Sequence, residues 1–222
     1  MATETIQSER RSAMGHRVEV RADEGKPKQA FGYGAVYYDG TEKTQYMLAD
    51  DVAERILPGA FDKAIREDDV RGLFNHDPSE ILGRTAAKTM RLSVDSTGLA
   101  YEIDLPETEA GQRVAVAIQR GDVTGSSFSF SPSVQSWREE EGLLIRNIEE
   151  VRLYDVGPVT FPAYSGTTSG VRADGTPIDF RSAFVGEDVL EQARAFRARR
   201  LEIANRARKI STDAKFLLDG VR

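Results

Sequence analysis

The sequence predicts an α+β protein, built mostly of strands and ending in one long helix. Three observations carry that reading. Residues 90–105 alternate apolar and polar side chains on both sides of a turn, residues 126–134 alternate serine with Phe128, Phe130, Pro132 and Val134, and residues 187–219 contain neither glycine nor proline. Alternation with period two marks a strand with one buried face, whereas a long unbroken run rich in Ala, Arg, Leu and Glu favours helix.

Taken in order, residues 1–15 lack apolar periodicity and are expected to form a flexible tail. "HRVEVRA" (16–22) and "FGYGAVYY" (31–38) have the β-branched and aromatic content of strands. In "ADDVAERI" (49–56) Asp51 stands three residues before Glu54, the spacing of a capping box, and Pro58 suits the first turn of a second short helix in "LPGAFDKAI". A helical insert is therefore expected after the early strands. Met90, Leu92 and Val94 lead into "DSTG" and Leu99, Tyr101, Ile103 and Leu105 lead away from it, which predicts a hairpin with one buried face. Val114, Ala117 and Ile118 fall at helical spacing, with Gly121 where a left-handed C-cap is wanted. After the serine strand, "LLIRNIEEVRLYDVGPVTF" (143–161) supplies one or two strands, with a turn around Gly142.

The rest divides by composition. Residues 165–186 are rich in Gly, Ser and Thr and are expected to link a main domain, 16–164, to the C-terminal helix, 187–222. Val189, Phe196, Ile203, Ile210 and Leu217 recur every seven residues in that helix, with Ala193, Arg200, Ala207 and Ala214 between them. This is an a/d seam. It either packs back on the main domain or docks elsewhere, and Arg200 within it weakens a tight homodimer while leaving room for an acidic partner.

Composition narrows the chemistry. The 222 residues are 40% hydrophobic and 30% charged with a formal net charge of -6, so the broad basic surface that a phosphate backbone requires is not indicated. No apolar run of membrane-spanning length occurs and the polar start does not resemble a secretory signal, so a cytoplasm-like compartment is expected. Zero cysteines leave no thiolate nucleophile or disulfide, and only His16 and His76 supply imidazole. A metal-dependent hydrolase built on His76, Asp77 and Asp95 would have too few clustered ligands, so neither metal nor cofactor is called for.

Three side chains invite a mechanism. His76 follows the strand-like "GLF" in a polar turn marked by Asn75, Asp77 and Pro78, a place for a general base and equally for a surface histidine. Ser126 and Ser127 follow "GDVTG", where Gly125 permits tight backbone geometry that leaves N–H groups of residues 125–128 free for an oxyanion. Plain alternation, with Phe128, Phe130 and Val134 on one face and Ser127, Ser129, Ser131 and Ser133 on the other, also explains the run without catalysis. Asp155 continues the inward line of Val151 and Leu153, so it needs a partner, and His76 is a candidate; Glu150 lies on the other face with Arg152.

The succession "PGAF" (58–61), "FNHDPSEILGRT" (74–85), "DSTGLAYEIDLPET" (95–108), "RGDVTGSSFSF" (120–130) and "LYDVGPVTFPAY" (153–164) resembles the prohead maturation proteases of tailed bacteriophages, distant relatives of herpesvirus assemblin. The resemblance spans roughly residues 17–165 and keeps the family's order. It implies a mostly antiparallel β-barrel ringed by helices, with His76 as base, Ser127 as nucleophile and Asp155 as the acid of a serine endopeptidase. Ser129 stands where the family commonly has glycine, and "DVGP" replaces its Glu-Val-Ser, leaving Glu150 as the alternative acid. It also implies the substrates: scaffold or the scaffolding segment of the major capsid protein, and the enzyme itself, cleaved inside an assembling prohead in the host cytoplasm. The C-terminal helix is expected to dock on scaffold or capsid segments and direct the enzyme into the assembling shell, or to join a second copy of the chain. The other reading is a catalytically silent scaffold or capsid-interaction protein that uses the same barrel and helix for packaging.

Overall fold

The structure, a computed structural model, describes residues 8–13, 15–162, 170–171, 177–178 and 187–219. The elements run β1 (Glu9–Ser12), β2 (Glu19–Arg21), β3 (Gln29–Val36), β4 (Tyr46–Ala49), β5 (Val52–Ile56), α1 (Ala64–Glu67), β6 (Arg71–Leu73), β7 (Ile81–Arg84), β8 (Met90–Val94), β9 (Gly98–Asp104), α2 (Glu109–Arg120), β10 (Gly125–Glu140), β11 (Leu143–Val159), β12 (Gly170–Val171), β13 (Pro177–Ile178) and α3 (Glu187–Asp219). The chain divides into two compact units, Met1–Val185 and Gly186–Arg222, the second formed by α3. Most of the expected linker lies outside the described residues, apart from the β12–β13 pair.

A long hairpin is the backbone of the first unit. β10 and β11 pair antiparallel from Gly125↔Val159 to Glu140↔Leu143, and the turn between them places Glu141 and Gly142 at φ 50° and 85°. Two consecutive left-handed residues give the turn twist that matches paired strands. β1 lies along the outer edge of β10, while β11 takes β5 in parallel along its first half and β6 in parallel near its end. β4 and β7 complete this seven-stranded sheet, and β2, β3, β9 and β8 form a second sheet of four.

The sheets pack mainly through side chains; their ladders are not continuous, and isolated backbone bonds link them, from the Val18 N–H to the Thr124 carbonyl at 3.0 Å and from the Tyr38 N–H to the Ile56 carbonyl at 2.7 Å. Ile103 of β9 fills the space beside Gly72 and Gly83, and the Tyr101 hydroxyl meets Ser126 Oγ at 2.7 Å. Phe61, Phe128 and Phe130 form the aromatic part of the core, with ring centroids 5.5 and 5.0 Å apart. The barrel implied by the resemblance is therefore corrected to two open sheets: the few backbone bonds between them do not extend into a ladder, and among the described residues the strand order ends at β1, β4 and β7 in one sheet and at β2 and β8 in the other.

Other expectations hold or shift for local reasons. The β8–β9 hairpin and α2 form as read; Thr108 caps α2, and Gly121, at φ 82°, ends it. The first half of the helical insert does not form. Val52–Ile56 is a strand buried along its whole length, because Glu54 is drawn into ion pairs and β5 lies beside β11. Pro58 sits in the turns ahead of the one-turn helix α1. Residues 9–12 are not loose tail but β1, and Gly125 opens β10, packed against Pro162, instead of forming a turn. Val134 is 45% exposed, not inward, since register shifts on either side of it break the alternation.

Four buried charges clamp β1 to the sheet. Arg11 reaches both Glu54 oxygens at 2.7 and 3.0 Å and Glu9 at 2.8 Å; Arg146 reaches Glu9 at 2.7 and 2.9 Å and Glu54 at 2.8 Å. Burial pushes the Glu9 carboxyl up, but the Arg146 and Arg11 guanidinium groups outweigh it and hold the acid below the usual carboxylate range. Arg146→Leu would leave two carboxylates facing one guanidinium in a site closed to water. The expected cost is about 3–5 kcal/mol, read as a lower denaturant midpoint.

Candidate active site

His76 owes its place to a turn that the chain enters and leaves under constraint. β6 ends at Leu73, and Asn75 and His76 both adopt left-handed backbone, at φ 55° and 58°. Asn75 secures the turn to the end of β11. Its N–H donates to the Pro158 carbonyl at 3.0 Å, its side-chain amide donates to Thr160 Oγ1 at 3.1 Å, and its side-chain carbonyl accepts from the Thr160 N–H at 2.8 Å. Asp77 closes the far side by accepting from the Ser79 N–H and hydroxyl. Asn and Asp tolerate such geometry and satisfy the local backbone, which is why this polar cluster follows an apolar strand.

Ser127 and Asp155 come to the imidazole from adjacent strands. Ser127 pairs with Gly157 and Ser129 with Asp155, so Ser127 and Asp155 lie on one face of the hairpin. A side chain at 157 would collide with the Leu73 carbonyl, so glycine there lets β6, and the turn after it, come close. Tyr154 is the extra residue of a register shift and is passed over in the pairing.

The three polar groups form a chain. Asp155 Oδ1 contacts His76 Nδ1, and His76 Nε2 lies 2.7 Å from Ser127 Oγ. A carboxylate only accepts, so Nδ1 carries the proton and Nε2 turns its lone pair to the hydroxyl. Ser127 is 1% exposed, Asp155 8% and His76 9%. Of the other candidate residues, Ser126 points to the opposite face, towards Tyr101, and Glu150 is taken by Lys63 at 3.0 Å. His16 lies against the Tyr33 ring at a tilt of 54° and takes no part in this chain of contacts, and no cluster of His, Asp and Glu able to hold a metal occurs among the described residues.

One neighbour has no signal in the sequence. The Ser127 hydroxyl also lies 2.8 Å from the Arg11 carbonyl of β1, so its single proton has two acceptors within reach. The contact is made by a backbone atom of a polar segment, and nothing in the residue type foretells it. The backbone of Gly125–Phe128 is likewise not an open turn: β11 flanks it on one edge and, from Ser127, β1 flanks it on the other.

A hydroxyl, an imidazole and a carboxylate in series on a strand-built frame are the equipment of a serine hydrolase. The family described as Caudovirus prohead serine protease matches residues 16–177, and the chain belongs to that family. It is a serine peptidase of phage capsid maturation. Among solved structures it is similar to the bacteriophage T4 capsid assembly protease, gp21, with 14% identity over 70% of this chain and 97% of that one and a TM-score of 0.43. No curated protein matches.

Proposed function

We propose that Ser127 is the nucleophile, His76 the general base and Asp155 the acid that orients it, in cleavage of scaffold or of the scaffolding segment of the major capsid protein, and of the enzyme itself. The observation that carries this reading is the 2.7 Å contact between His76 Nε2 and Ser127 Oγ with Asp155 on the opposite ring nitrogen. As Ser127 Oγ bonds to the peptide carbonyl carbon, its proton passes to Nε2. Asp155 accepts from Nδ1 and stabilises the imidazolium. Collapse of the adduct breaks the C–N bond, and His76 gives the proton to the leaving amine. Water then repeats the sequence on the acyl-enzyme, with His76 again as base.

Successive N–H groups along a strand point to opposite edges, so one of the Ser127 and Phe128 amides faces the β1 side. That amide is the nearest donor for the oxyanion. The reaction takes place inside the assembling capsid of the host cell. Co-expression with the major capsid protein, native chain against Ser127→Ala, tests the assignment. Intact masses should show trimmed capsid protein only with the native chain, and equal trimming, or none in either, would sink it; none in either would favour the silent scaffold.

The heptad seam of α3 supplies a separate expectation. Ile203 of that seam is 61% exposed, an apolar position suited to a scaffold or capsid segment or to a second copy of the chain. Deleting residues 187–222 should spare cleavage of a short peptide but prevent incorporation into proheads. Loss of peptide cleavage as well would make the helix part of the catalytic unit.

A further inference from the structure

A protease nucleophile must be reachable by a polypeptide, yet Ser127 is 1% exposed, and β1 lies directly against it. We propose that the edge of β10 at Ser127 is the substrate-binding position and that β1 fills it in the resting chain as a removable, substrate-like strand. The inference rests on Ser127 being the nucleophile. Four observations support it.

β1 is bound as a substrate strand would be. It pairs antiparallel with Ser127–Phe130, the Ala13 N–H donates to the Ser126 carbonyl at 3.0 Å, and the Arg11 carbonyl is the one presented to Ser127 Oγ, at 2.8 Å. Strand addition to an open sheet edge is a common way of holding an extended peptide: main-chain bonds provide affinity and side-chain pockets provide selectivity.

The pocket is selective and ionic. Glu54 and Arg146, 0% and 1% exposed, read Arg11 and Glu9 respectively. A ligand fitting this edge is an extended polypeptide with an acidic and a basic residue two apart and small residues after the basic one, as in Glu9-Arg10-Arg11-Ser12-Ala13.

Removal strands no charge. Detachment divides the cluster into two neutral pairs that already exist: Arg11 with Glu9 at 2.8 Å on β1, and Arg146 with Glu54 at 2.8 Å on the sheet. Nor does β1 bring apolar anchorage. From Ser8 to Ala13 its largest apolar side chain is the Ala13 methyl, so release forfeits little hydrophobic burial.

Release would also complete the site. While β1 is bound, the Arg11 carbonyl competes with His76 Nε2 for the one Ser127 proton, and an amide on that edge of β10 faces β1. Once β1 leaves, the hydroxyl proton has His76 as its remaining acceptor in this set, and the amide is open to an oxyanion.

The test uses the full chain and a fluorophosphonate probe that labels activated serines. In the native chain, amides of residues 9–13 should exchange with solvent at least about tenfold faster than those of residues 144–153 in β11, because an edge strand of this kind opens without the rest of the sheet. Ala13→Pro removes the donor next to Ser127 and should speed probe labelling at least about fivefold, the effect of losing one hydrogen bond. Adding a peptide of residues 8–14 should slow it again, while the same peptide with Glu9→Ala and Arg11→Ala should not. Exchange of β1 as slow as that of β11, or unaccelerated labelling of a folded Ala13→Pro chain, would overturn the proposal. If the probe never marks Ser127, the nucleophile assignment fails; the exchange rates and anisotropy of a fluorescent 8–14 peptide on Ala13→Pro then decide the strand site by themselves.

Discussion

Ser127→Ala and His76→Ala are each expected to abolish processing of the capsid substrate, with kcat falling by roughly 10⁶, the size of loss seen when either member of such a pair is removed. The fold should survive. Ser127 Oγ gives up contacts to His76 and to the Arg11 carbonyl, a change of about 1 kcal/mol in stability. Ser126→Ala is the control, because the neighbouring hydroxyl lies on the opposite face, 2.7 Å from the Tyr101 hydroxyl. That variant should cost about 1–3 kcal/mol in unfolding, through the buried Tyr101 group that loses its partner, while keeping most activity. The reverse result, an inactive Ser126→Ala beside an active Ser127→Ala, would put the nucleophile on the wrong residue.

Asp155→Asn should be the next most damaging change. The carboxamide can present its NH₂ to Nδ1, which favours the tautomer with the proton on Nε2 and removes the base from Ser127. In a well-studied serine protease that error costs about 10⁴ in kcat. Glu150→Gln should change the rate by no more than a few-fold, since it disrupts only the contact with Lys63, half exposed at the surface. Rates that fall equally and slightly in both variants would leave a serine–histidine pair with no orienting acid.

Much of this frame was legible because periodicity reports faithfully on faces. The hairpin of β8 and β9 and the C-cap of α2 follow from alternation and from one glycine, and the turn holding His76 follows from a polar cluster after an apolar strand. What escaped was set by ionic contacts between distant segments. Val52–Ile56 carries Glu54 and Arg55 in its middle, and a buried charge looks like a surface charge until its partner is known. Here the partners of Glu54 are Arg11 and Arg146, 43 and 92 residues away. β1 escaped for the same reason, since its sequence offers no apolar face. The register shifts near Tyr154 and Val134 depend on how two strands coil about each other, which the pattern of one strand does not encode.

The site also depends on the order in which the chain can be built. His76 meets Ser127 across 51 residues of sequence and Asp155 across 79, and Arg11 meets Ser127 across 116. Contacts of such range form late, because the loops they close must be ordered first. A ribosome-bound chain that has not yet emitted β11 holds a histidine and a serine with neither the strand that aligns them nor the acid behind them. Once β11 has emerged, β1 has already been made, and on the proposed reading it covers the edge beside Ser127. With Ser127, His76 and Asp155 in the proposed roles, the order of translation would keep peptidase activity out of the nascent chain.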